Sequence, residues 1–264
     1  MRLLDAIRST ARASDYMFRH AFPLYALLYE RYKRVAERDV IACIRRSVQP
    51  GDRVVDVGAN IGFYAELLAQ CVGPSGAVYA FEPEPLNFAR LAARARAYPQ
   101  LHAVAACVGE RSGTAELFLS PDLNIDHRSY PTGDDRRRVT VDALALDEFL
   151  AAGEQLRFVK MDVQGAEYAA LRGMCAVLAR SPDVHLLLEV WPYVQERFAG
   201  GTRALLGLLD EWGFDVYRLA AGGGLGERLA PDLPIAGADD ENSYFDVLCM
   251  RPARRPGSEG PAAC

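Results

Sequence analysis

One short segment constrains this chain more than any other, because residues 54–64 have the pattern of a strand, a glycine-flanked turn and the start of a helix. The segment is Val-Val-Asp-Val-Gly-Ala-Asn-Ile-Gly-Phe-Tyr. Gly58 and Gly62 permit a sharp turn and leave room for a ligand to approach the backbone. The first N–H groups of the following helix have no partner within that helix. The segment therefore predicts that a small ligand binds at the turn.

The spacing of the glycines narrows the kind of ligand. A dinucleotide-binding loop has the pattern G-x-G-x-x-G, whose second glycine makes room for a pyrophosphate, but Asn60 stands at that position here. The observed pattern is D-x-G-x-x-x-G, which begins at Asp56 and suits a nucleoside-like cofactor without a pyrophosphate. S-adenosylmethionine is the commonest such cofactor. The alternative is a tight turn with a structural role alone.

A second strand supplies an acid at the expected distance. The apolar run Ala77-Val78-Tyr79-Ala80-Phe81 ends in Glu82, which follows Gly62 by about twenty residues, as in other nucleotide-binding folds. An acid at the end of a neighbouring parallel strand can hold a ribose diol through two hydrogen bonds. We therefore predict that Glu82 and the turn belong to one site, although an acid there could merely solvate a strand end.

Composition excludes several classes of protein. The chain has 264 residues, half of them hydrophobic, with a net charge of -5 and a pI near 5.5, which argues against a nucleic-acid partner. Its six cysteines form no C-x-x-C pair and its four histidines are dispersed, so we predict no metal site. The sequence shows neither a membrane-spanning run nor a secretion signal, so we expect a cytoplasmic protein without stable membrane insertion.

Strand and helix patterns alternate along most of the chain. This alternation predicts an α/β fold with a doubly wound, mostly parallel sheet. We predict an N-terminal helical arm at residues 1–50, one domain at residues 51–251 and a disordered tail at residues 252–264. The last two strands, 215–219 and 244–250, predict an antiparallel hairpin at one edge of the sheet.

An insertion interrupts this rhythm at about residues 114–141. Two alternating runs, 114–119 and 138–141, have the pattern of paired strands, and the polar stretch between them is rich in Asp, Asn, Pro and Gly. Such a stretch is either a functional loop or a floppy one. It carries Asp126, His127 and Arg128, which we interpret as a lid whose histidine accepts the proton of an acceptor hydroxyl. A surface histidine with salt-bridged neighbours is the alternative.

Two later strands bring polar residues to the same sheet edge. One ends in Asp162 and is followed by Gln164, and the next ends in Glu189, close to Trp191. Ligands bind outside the carboxyl ends of the strands in open α/β sheets. Because Glu82, Asp162 and Glu189 repel one another, a cationic ligand between them would relieve that cost. Trp191 either covers an acceptor or fills the core.

The helix that follows Asp162 raises a separate question. Glu167 stands near its first turn, where a carboxylate can cap the unpaired N–H groups or contact a ligand. The sequence favours neither role.

The N-terminal arm contains an aromatic, amphipathic segment at residues 16–32. Three roles remain open for it: contact with a membrane surface, packing over the active site, or contact with a second subunit that would make the protein a homo-oligomer.

Four motifs together resemble the FkbM family of S-adenosylmethionine-dependent methyltransferases. They are Asp56-Val57-Gly58-Ala59-Asn60-Ile61-Gly62, Phe81-Glu82-Pro83, Lys160-Met161-Asp162-Val163-Gln164-Gly165-Ala166-Glu167 and Leu188-Glu189-Val190-Trp191-Pro192. The resemblance implies a Rossmann-like class I methyltransferase fold with a seven-stranded sheet. It also implies methylation of a hydroxyl group on a sugar or secondary metabolite, hence a small-molecule or glycan acceptor.

The resemblance completes a set of predicted site residues. It places the adenine near Ala106 and Cys107, where the acid that many methyltransferases use is absent. His127 and Asp162 are the predicted catalytic residues. The predicted cofactor-binding residues are Asp56, Gly58, Ala59, Asn60, Gly62, Phe63, Glu82, Pro83, Ala106, Cys107 and Asp162. The predicted substrate-binding residues are Asp126, Arg128, Gln164, Glu189 and Trp191.

Three rival interpretations remain. A nicotinamide-dependent oxidoreductase would also use Glu82, although Asn60 argues against it. A non-catalytic methyltransferase-like subunit would bind the donor and dock a partner through the arm. In a metal-assisted methyltransferase, Asp162 and Glu189 would be the ligands.

Overall fold

A large mixed sheet forms the centre of the fold. The computed structural model describes residues 16–120, 128, 136–198, 200–232 and 237–252. In that part of the chain, the strands are β1 (Arg53–Val57), β2 (Ala77–Phe81), β3 (Leu101–Val104), β4 (Cys107–Val108), β5 (Gly113–Leu119), β6 (Arg137–Leu144), β7 (Phe158–Met161), β8 (His185–Val190), β9 (Asp215–Ala220), β10 (Gly224–Leu229) and β11 (Phe245–Met250).

Helices cover the two faces of the sheet. They are α1 (Phe22–Ala36), α2 (Arg38–Ser47), α3 (Phe63–Val72), α4 (Pro85–Ala95), α5 (Leu146–Phe149), α6 (Glu167–Arg172), α7 (Cys175–Ala179), α8 (Pro192–Phe198) and α9 (Thr202–Glu211). A short 3₁₀ turn spans Ala221–Gly223.

The topology confirms the predicted Rossmann-like α/β fold. The main sheet has eight strands in the described residues, in the order β10-β9-β11-β8-β7-β1-β2-β3. The run from β8 to β3 is parallel, and β11, β9 and β10 are antiparallel to their neighbours. Buried side chains cover both faces of β1 and β7, as expected for central parallel strands.

The predicted strand count was one short. Strand β10 lies in the connection between residues 220 and 242, which the sequence analysis left without a strand, because two glycines weaken the strand pattern of Gly224–Leu229. Gly222 and Gly223 have positive φ values of 71° and 72° and turn the chain back onto β9. The hairpin at the sheet edge is therefore β9–β10, while β11 lies between β8 and β9.

The insertion contains the predicted strand pair. Strands β5 and β6 pair antiparallel, and β4 joins β6 to form a separate three-stranded sheet. Arg128 returns to this sheet, since its backbone N–H and carbonyl both bond to Phe118. Asp126 and His127 lie outside the described residues, as do residues 1–15 and 253–264 of the predicted arm and tail.

The helix predicted after Asp162 consists of two short helices, α6 and α7. Gly173 lies between them at a close backbone contact. A Cβ atom added there would lie 1.9 Å from the carbonyl oxygen of Gly109, which precedes β5. The helix is therefore interrupted where the chain passes against the second sheet.

The N-terminal arm packs on the domain beside the β1 turn. Phe18 and Tyr25 form a buried cluster with Ile61, which belongs to that turn. Glu30 of α1 bonds to Arg94 of α4 at 2.7 Å. These contacts agree with the role in which the arm covers the site.

The close contact at Gly173 yields a stability prediction. Gly173→Ala should lower the free energy of unfolding by about 2 kcal/mol or more, because the added methyl group forces two backbones apart. Gly207, inside α9, has open space at the Cβ position, so Gly207→Ala should be neutral or stabilise by about 0.5–1 kcal/mol. Urea denaturation followed by circular dichroism measures both, and equal stability of the two variants would contradict the contact.

Candidate active site

A cavity of about 570 Å³ opens at the carboxyl ends of the central strands. Its wall combines the turn after β1, the residues after β2, the ends of β7 and β8, and side chains of the arm. This volume falls within the range of pockets that bind small molecules. The position is also the one where ligands bind in open α/β sheets.

Hydrogen bonds fix the turn after β1 in one shape. The N–H groups of Gly58 and Ala59 donate to the carbonyl of Phe81 at 3.0 and 2.9 Å. The N–H of Asn60 donates to Oε2 of Glu82 at 2.8 Å. Asn60 adopts a left-handed conformation with φ of 51°, which asparagine tolerates better than most residues. The turn and the acid that we predicted to belong to one site are therefore directly bonded.

Packing explains why both positions of the turn require glycine. A Cβ atom on Gly58 would lie 2.0 Å from the backbone oxygen of Asp162, and one on Gly62 would lie 2.9 Å from Leu91 of α4. Both glycines also have positive φ values, 79° and 88°. From the sequence we expected a ligand in this space, whereas neighbouring parts of the chain fill it.

Glu82 is almost fully buried at the edge of the cavity. One carboxylate oxygen accepts from Asn60, and the other accepts from the N–H of Glu84 at 2.9 Å. A carboxylate has about four lone-pair sites, so two remain for a ligand. Burial raises the pKa of Glu82 to about 7, although both N–H donors favour the ionised form.

A buried lysine joins the ends of β1 and β7. Lys160 lies opposite Asp56 in the strand register, with Nζ 3.9 Å from Oδ1 of Asp56 and 3.4 Å from Oδ2 of Asp162. Its ammonium group also lies 4.8 Å from the ring centre of Tyr64. Although burial would lower the pKa of Lys160, the two acids raise it. Lys160 is therefore a fixed cation of the site.

The same charges give the two neighbouring acids, Asp56 and Asp162, different pKa values. Burial alone would raise the pKa of Asp162, but the charges of Lys160 and Lys33 lower it. Asp56 lies deeper, and there burial prevails over Lys160 and raises its pKa to about 6. At neutral pH Asp162 is thus the firmly ionised member of the group.

Gln164 connects the acids at the ends of β7 and β8. Its Nε2 donates to Asp162 at 2.8 Å and to Glu189 at 3.2 Å, and its backbone has an unusual φ of 54°. Glu189 pairs in register with Asp246 of β11. Burial, with the charges of Asp162 and Asp246, raises the pKa of Glu189 well above its usual value. Burial also raises the pKa of Asp246 to about 7.

The arm supplies a wall that the sequence analysis did not assign to the site. Tyr29, Tyr32, Lys33 and Glu37 line the cavity. Lys33 bonds to Glu37 at 3.0 Å and lies 5.3 Å from the ring centre of Tyr64. The helical spacing of Tyr29, Lys33 and Glu37 was visible in the sequence, but it did not show which surface this face would contact.

An aromatic and apolar wall completes the cavity. The guanidinium of Arg128 lies 5.1 Å from the ring centre of Trp191, a cation–π distance. The indole N–H of Trp191 donates to the carbonyl of Glu241 at 3.0 Å. Ala106 and Cys107 lie on an apolar part of the wall.

Most of the predicted site residues lie on this one cavity. They are Gly58, Ala59, Asn60, Phe63, Glu82, Pro83, Ala106, Cys107, Arg128, Asp162, Gln164, Glu189 and Trp191. Asp56 and Gly62 lie behind the wall. Lys160 also lines the cavity, although it was not among the predicted residues. Its position in β7, two residues before the acid that follows the strand, was the available signal.

Glu167 is buried and bonds to the loop that precedes α6. Its side chain accepts from the N–H of Gly165 at 3.1 Å and from Nε2 of Gln195 at 3.1 Å. It is absent from the cavity wall, and its bonds hold the loop before α6 rather than cap the helix itself.

The described residues contain neither a cluster of metal ligands nor a helix that could span a membrane. No group of three or more His, Cys, Asp or Glu side chains there could hold a metal ion. In the same part of the chain, no helix combines the length and the apolar character that crossing a membrane requires.

Two characterised methyltransferases are similar to this chain in sequence. The hexuronic acid methyltransferase AglP of Haloferax volcanii is 29% identical over 181 residues, which cover 66% of this chain and 72% of that protein. The 31-O-demethyl-FK506 methyltransferase FkbM of Streptomyces tacrolimicus is 36% identical over 93 residues, which cover 35% of each protein.

Solved structures give more distant matches. Fibrillarin of Aeropyrum pernix, with natively bound S-adenosyl-L-methionine, is 15% identical with a TM-score of 0.43, and the match covers 77% of this chain and 68% of that one. An S-adenosylmethionine-dependent O-methyltransferase of Thermotoga maritima is 14% identical with a TM-score of 0.42. The match covers 83% of this chain and 66% of that one.

A family model covers more than half of the chain. The methyltransferase FkbM domain matches residues 56–216, from the strand end before the first glycine turn to strand β9. This range contains all four motifs on which the sequence resemblance depended. The chain belongs to the FkbM methyltransferase family.

Proposed function

We propose that this protein transfers a methyl group from S-adenosylmethionine to a hydroxyl group of a sugar or secondary metabolite. The observation that carries the proposal is the convergence of the bonded Asn60–Glu82 turn and the ionised Asp162 on one cavity. Family membership supports the transfer of a methyl group. The hydroxyl acceptor is supported by the activities after which the two relatives are named, a hexuronic acid methyltransferase and a 31-O-demethyl-FK506 methyltransferase.

The donor side of the cavity has groups that fit the parts of S-adenosylmethionine. Glu82 retains two lone-pair sites for a ribose diol. Ala106 and Cys107 provide an apolar surface for a flat base. The ionised Asp162 can pair with a positive ligand group. When bound, the donor supplies an electrophilic methyl group on a positively charged sulfur.

Besides binding the donor, the protein must align the acceptor with the methyl group and remove a proton from the acceptor hydroxyl. Methyl transfer needs the acceptor oxygen held in line with the methyl group in a pocket that excludes bulk water. Trp191 and the tyrosines of the arm can hold an acceptor there, because aromatic rings pack well against the apolar faces of sugars and macrocycles. We propose His127, in the insertion, as the group that takes the hydroxyl proton.

Donor binding is the first test. Titration calorimetry should show that the protein binds S-adenosylmethionine and that NAD does not compete. Gly58→Val should abolish binding, since its side chain would push the turn away from Asp162. Gly51→Val is the matched control, because Gly51 is also a left-handed glycine next to β1 but is absent from the cavity wall.

Three other results would contradict part of the proposal. Loss of binding in Gly51→Val as well would indicate general strain and would remove the argument from Gly58. Absence of donor binding by the unmodified protein would end the methyltransferase proposal. Donor binding with no turnover on any acceptor would favour the non-catalytic subunit instead.

The raised pKa of Glu82 predicts that donor affinity depends on pH. Hydrogen bonds from a ribose diol favour the ionised carboxylate, so binding below about pH 7 should release a proton, and affinity should rise with pH up to about pH 7 and level off above it. Calorimetry in two buffers of different ionisation enthalpy measures the proton. Glu82→Gln should lose the pH dependence and about tenfold or more in affinity.

Asp246→Asn is the control for this experiment. The pKa of Asp246 is also raised to about 7, but the residue is absent from the cavity wall. It should therefore keep the pH dependence of donor binding. Assignment to Glu82 is wrong if the dependence disappears in Asp246→Asn and persists in Glu82→Gln.

The proton acceptor is tested once an acceptor has been found by screening uronic acids, methyl glycosides and macrolides. His127→Ala should leave donor affinity unchanged and lower turnover by about 100-fold or more. His102→Ala is the control, because His102 stacks on Tyr79 away from the cavity. Unchanged turnover in His127→Ala would show that another group takes the proton.

A further inference from the structure

Helix α1 of the arm has a second apolar face that is largely exposed in the described structure. Leu24, Leu27, Leu28 and Val35 are 52%, 65%, 49% and 73% exposed. Their spacing of three, four and seven residues places them on one side of the helix. The opposite side carries Tyr25 and Tyr29, which pack against the domain. The exposed leucines are therefore not required for the docking of the arm.

The charges on this helix are distributed unevenly. Arg31 and Arg34 are exposed and lie among the exposed apolar residues. Glu30, the single acid within Phe22–Ala36, is directed toward the domain, where it bonds to Arg94 at 2.7 Å, and it reaches Arg34 only at 3.9 Å. Lys33 faces the cavity. The outer face of α1 therefore combines large apolar side chains with positive charge.

This combination favours one occupant over the others. A second copy of the chain would bring the arginines of both copies onto the same patch, with no acid on either face to offset them. Residues 1–15 contain three arginines and two aspartates, so they also bring no excess of negative charge. An anionic lipid surface offers both an apolar layer and negative headgroups, which is what a helix of this kind binds.

The cavity opens beside this face. Tyr32 follows Leu28 by one helical turn, is 65% exposed and also lines the cavity. Tyr244, which is 59% exposed, lines the cavity as well. A surface that contacts the outer face of α1 would therefore lie next to the mouth of the cavity.

We propose that the outer face of α1, formed by Leu24, Leu27, Leu28, Arg31, Arg34 and Val35, docks the protein onto an anionic lipid surface with the cavity mouth beside that surface. Docking of this type is peripheral, with the leucines entering the headgroup boundary and the arginines near lipid phosphates. The net charge of -5 opposes it weakly at cellular salt, because charges beyond about 8 Å are screened. The proposal does not depend on the methyl transfer reaction.

Sedimentation of the full-length chain with vesicles tests the proposal directly. The protein should sediment with vesicles of phosphatidylcholine and phosphatidylglycerol in equal parts, and much less with phosphatidylcholine alone. The double substitution Leu27→Glu and Leu28→Glu should reduce the bound fraction by about tenfold or more. Arg31→Glu with Arg34→Glu should reduce binding to the anionic vesicles by a similar factor, and added salt should do the same.

Matched controls separate this face from the rest of the surface. Leu225 is 50% exposed on the edge strand β10, and Arg203 is exposed on α9. Leu225→Glu and Arg203→Glu should leave vesicle binding unchanged. Circular dichroism and thermal unfolding should confirm that every variant remains folded, as expected for changes at exposed positions.

Three results would overturn the proposal. One is an unmodified protein that stays in the supernatant with anionic vesicles at low salt. Another is an equal loss of binding in the controls and in the α1 variants. The third is a dimer, seen by sedimentation velocity, that dissociates in the Leu27 and Leu28 variant, since the face would then join two copies of the chain.

Discussion

The buried ammonium group of Lys160 holds the centre of this structure together. It lies between Asp56 of β1 and Asp162, which directly follows β7, so one cation serves acids at the ends of two adjacent strands. Without it, at least one of these carboxylates would have to be neutral, because unpaired buried charges are very costly. The ionised state of Asp162, and through Gln164 the arrangement of Glu189, depends on this cation.

The central part of the fold was predictable because its signals are local. Strand β2 coincides with the apolar run Ala77–Phe81 from which it was predicted, and β1 ends at Val57, directly before the predicted glycine turn. Strand β10 was missed because its glycines weaken the pattern and because pairing with β9 is what stabilises it. The break at Gly173 was missed because it results from contact with Gly109, which is distant in the sequence.

The residues of the site also fall into those that a local sequence signal could identify and those that it could not. Residues within the shared motifs, such as Gly58, Glu82 and Asp162, could be assigned because parallel strands bring their carboxyl ends to one edge. Lys33 and Glu37 could not be assigned, since a helical pattern does not reveal the surface that a terminal helix will cover. Even the reason for Gly58 was incomplete, because the contact that excludes a side chain comes from Asp162, far along the chain.

The arm and the C-terminal segment contribute to the cavity from outside the range that the family model matches. Tyr29, Tyr32, Lys33 and Tyr244 all lie beyond residues 56–216, whereas Asn60, Glu82 and Asp162 lie within it. Substitutions in these flanking segments can reshape the opening without altering the hydrogen bonds of the glycine turn. The residues that shape the entrance to the cavity and those that form the glycine turn thus belong to separate parts of the sequence.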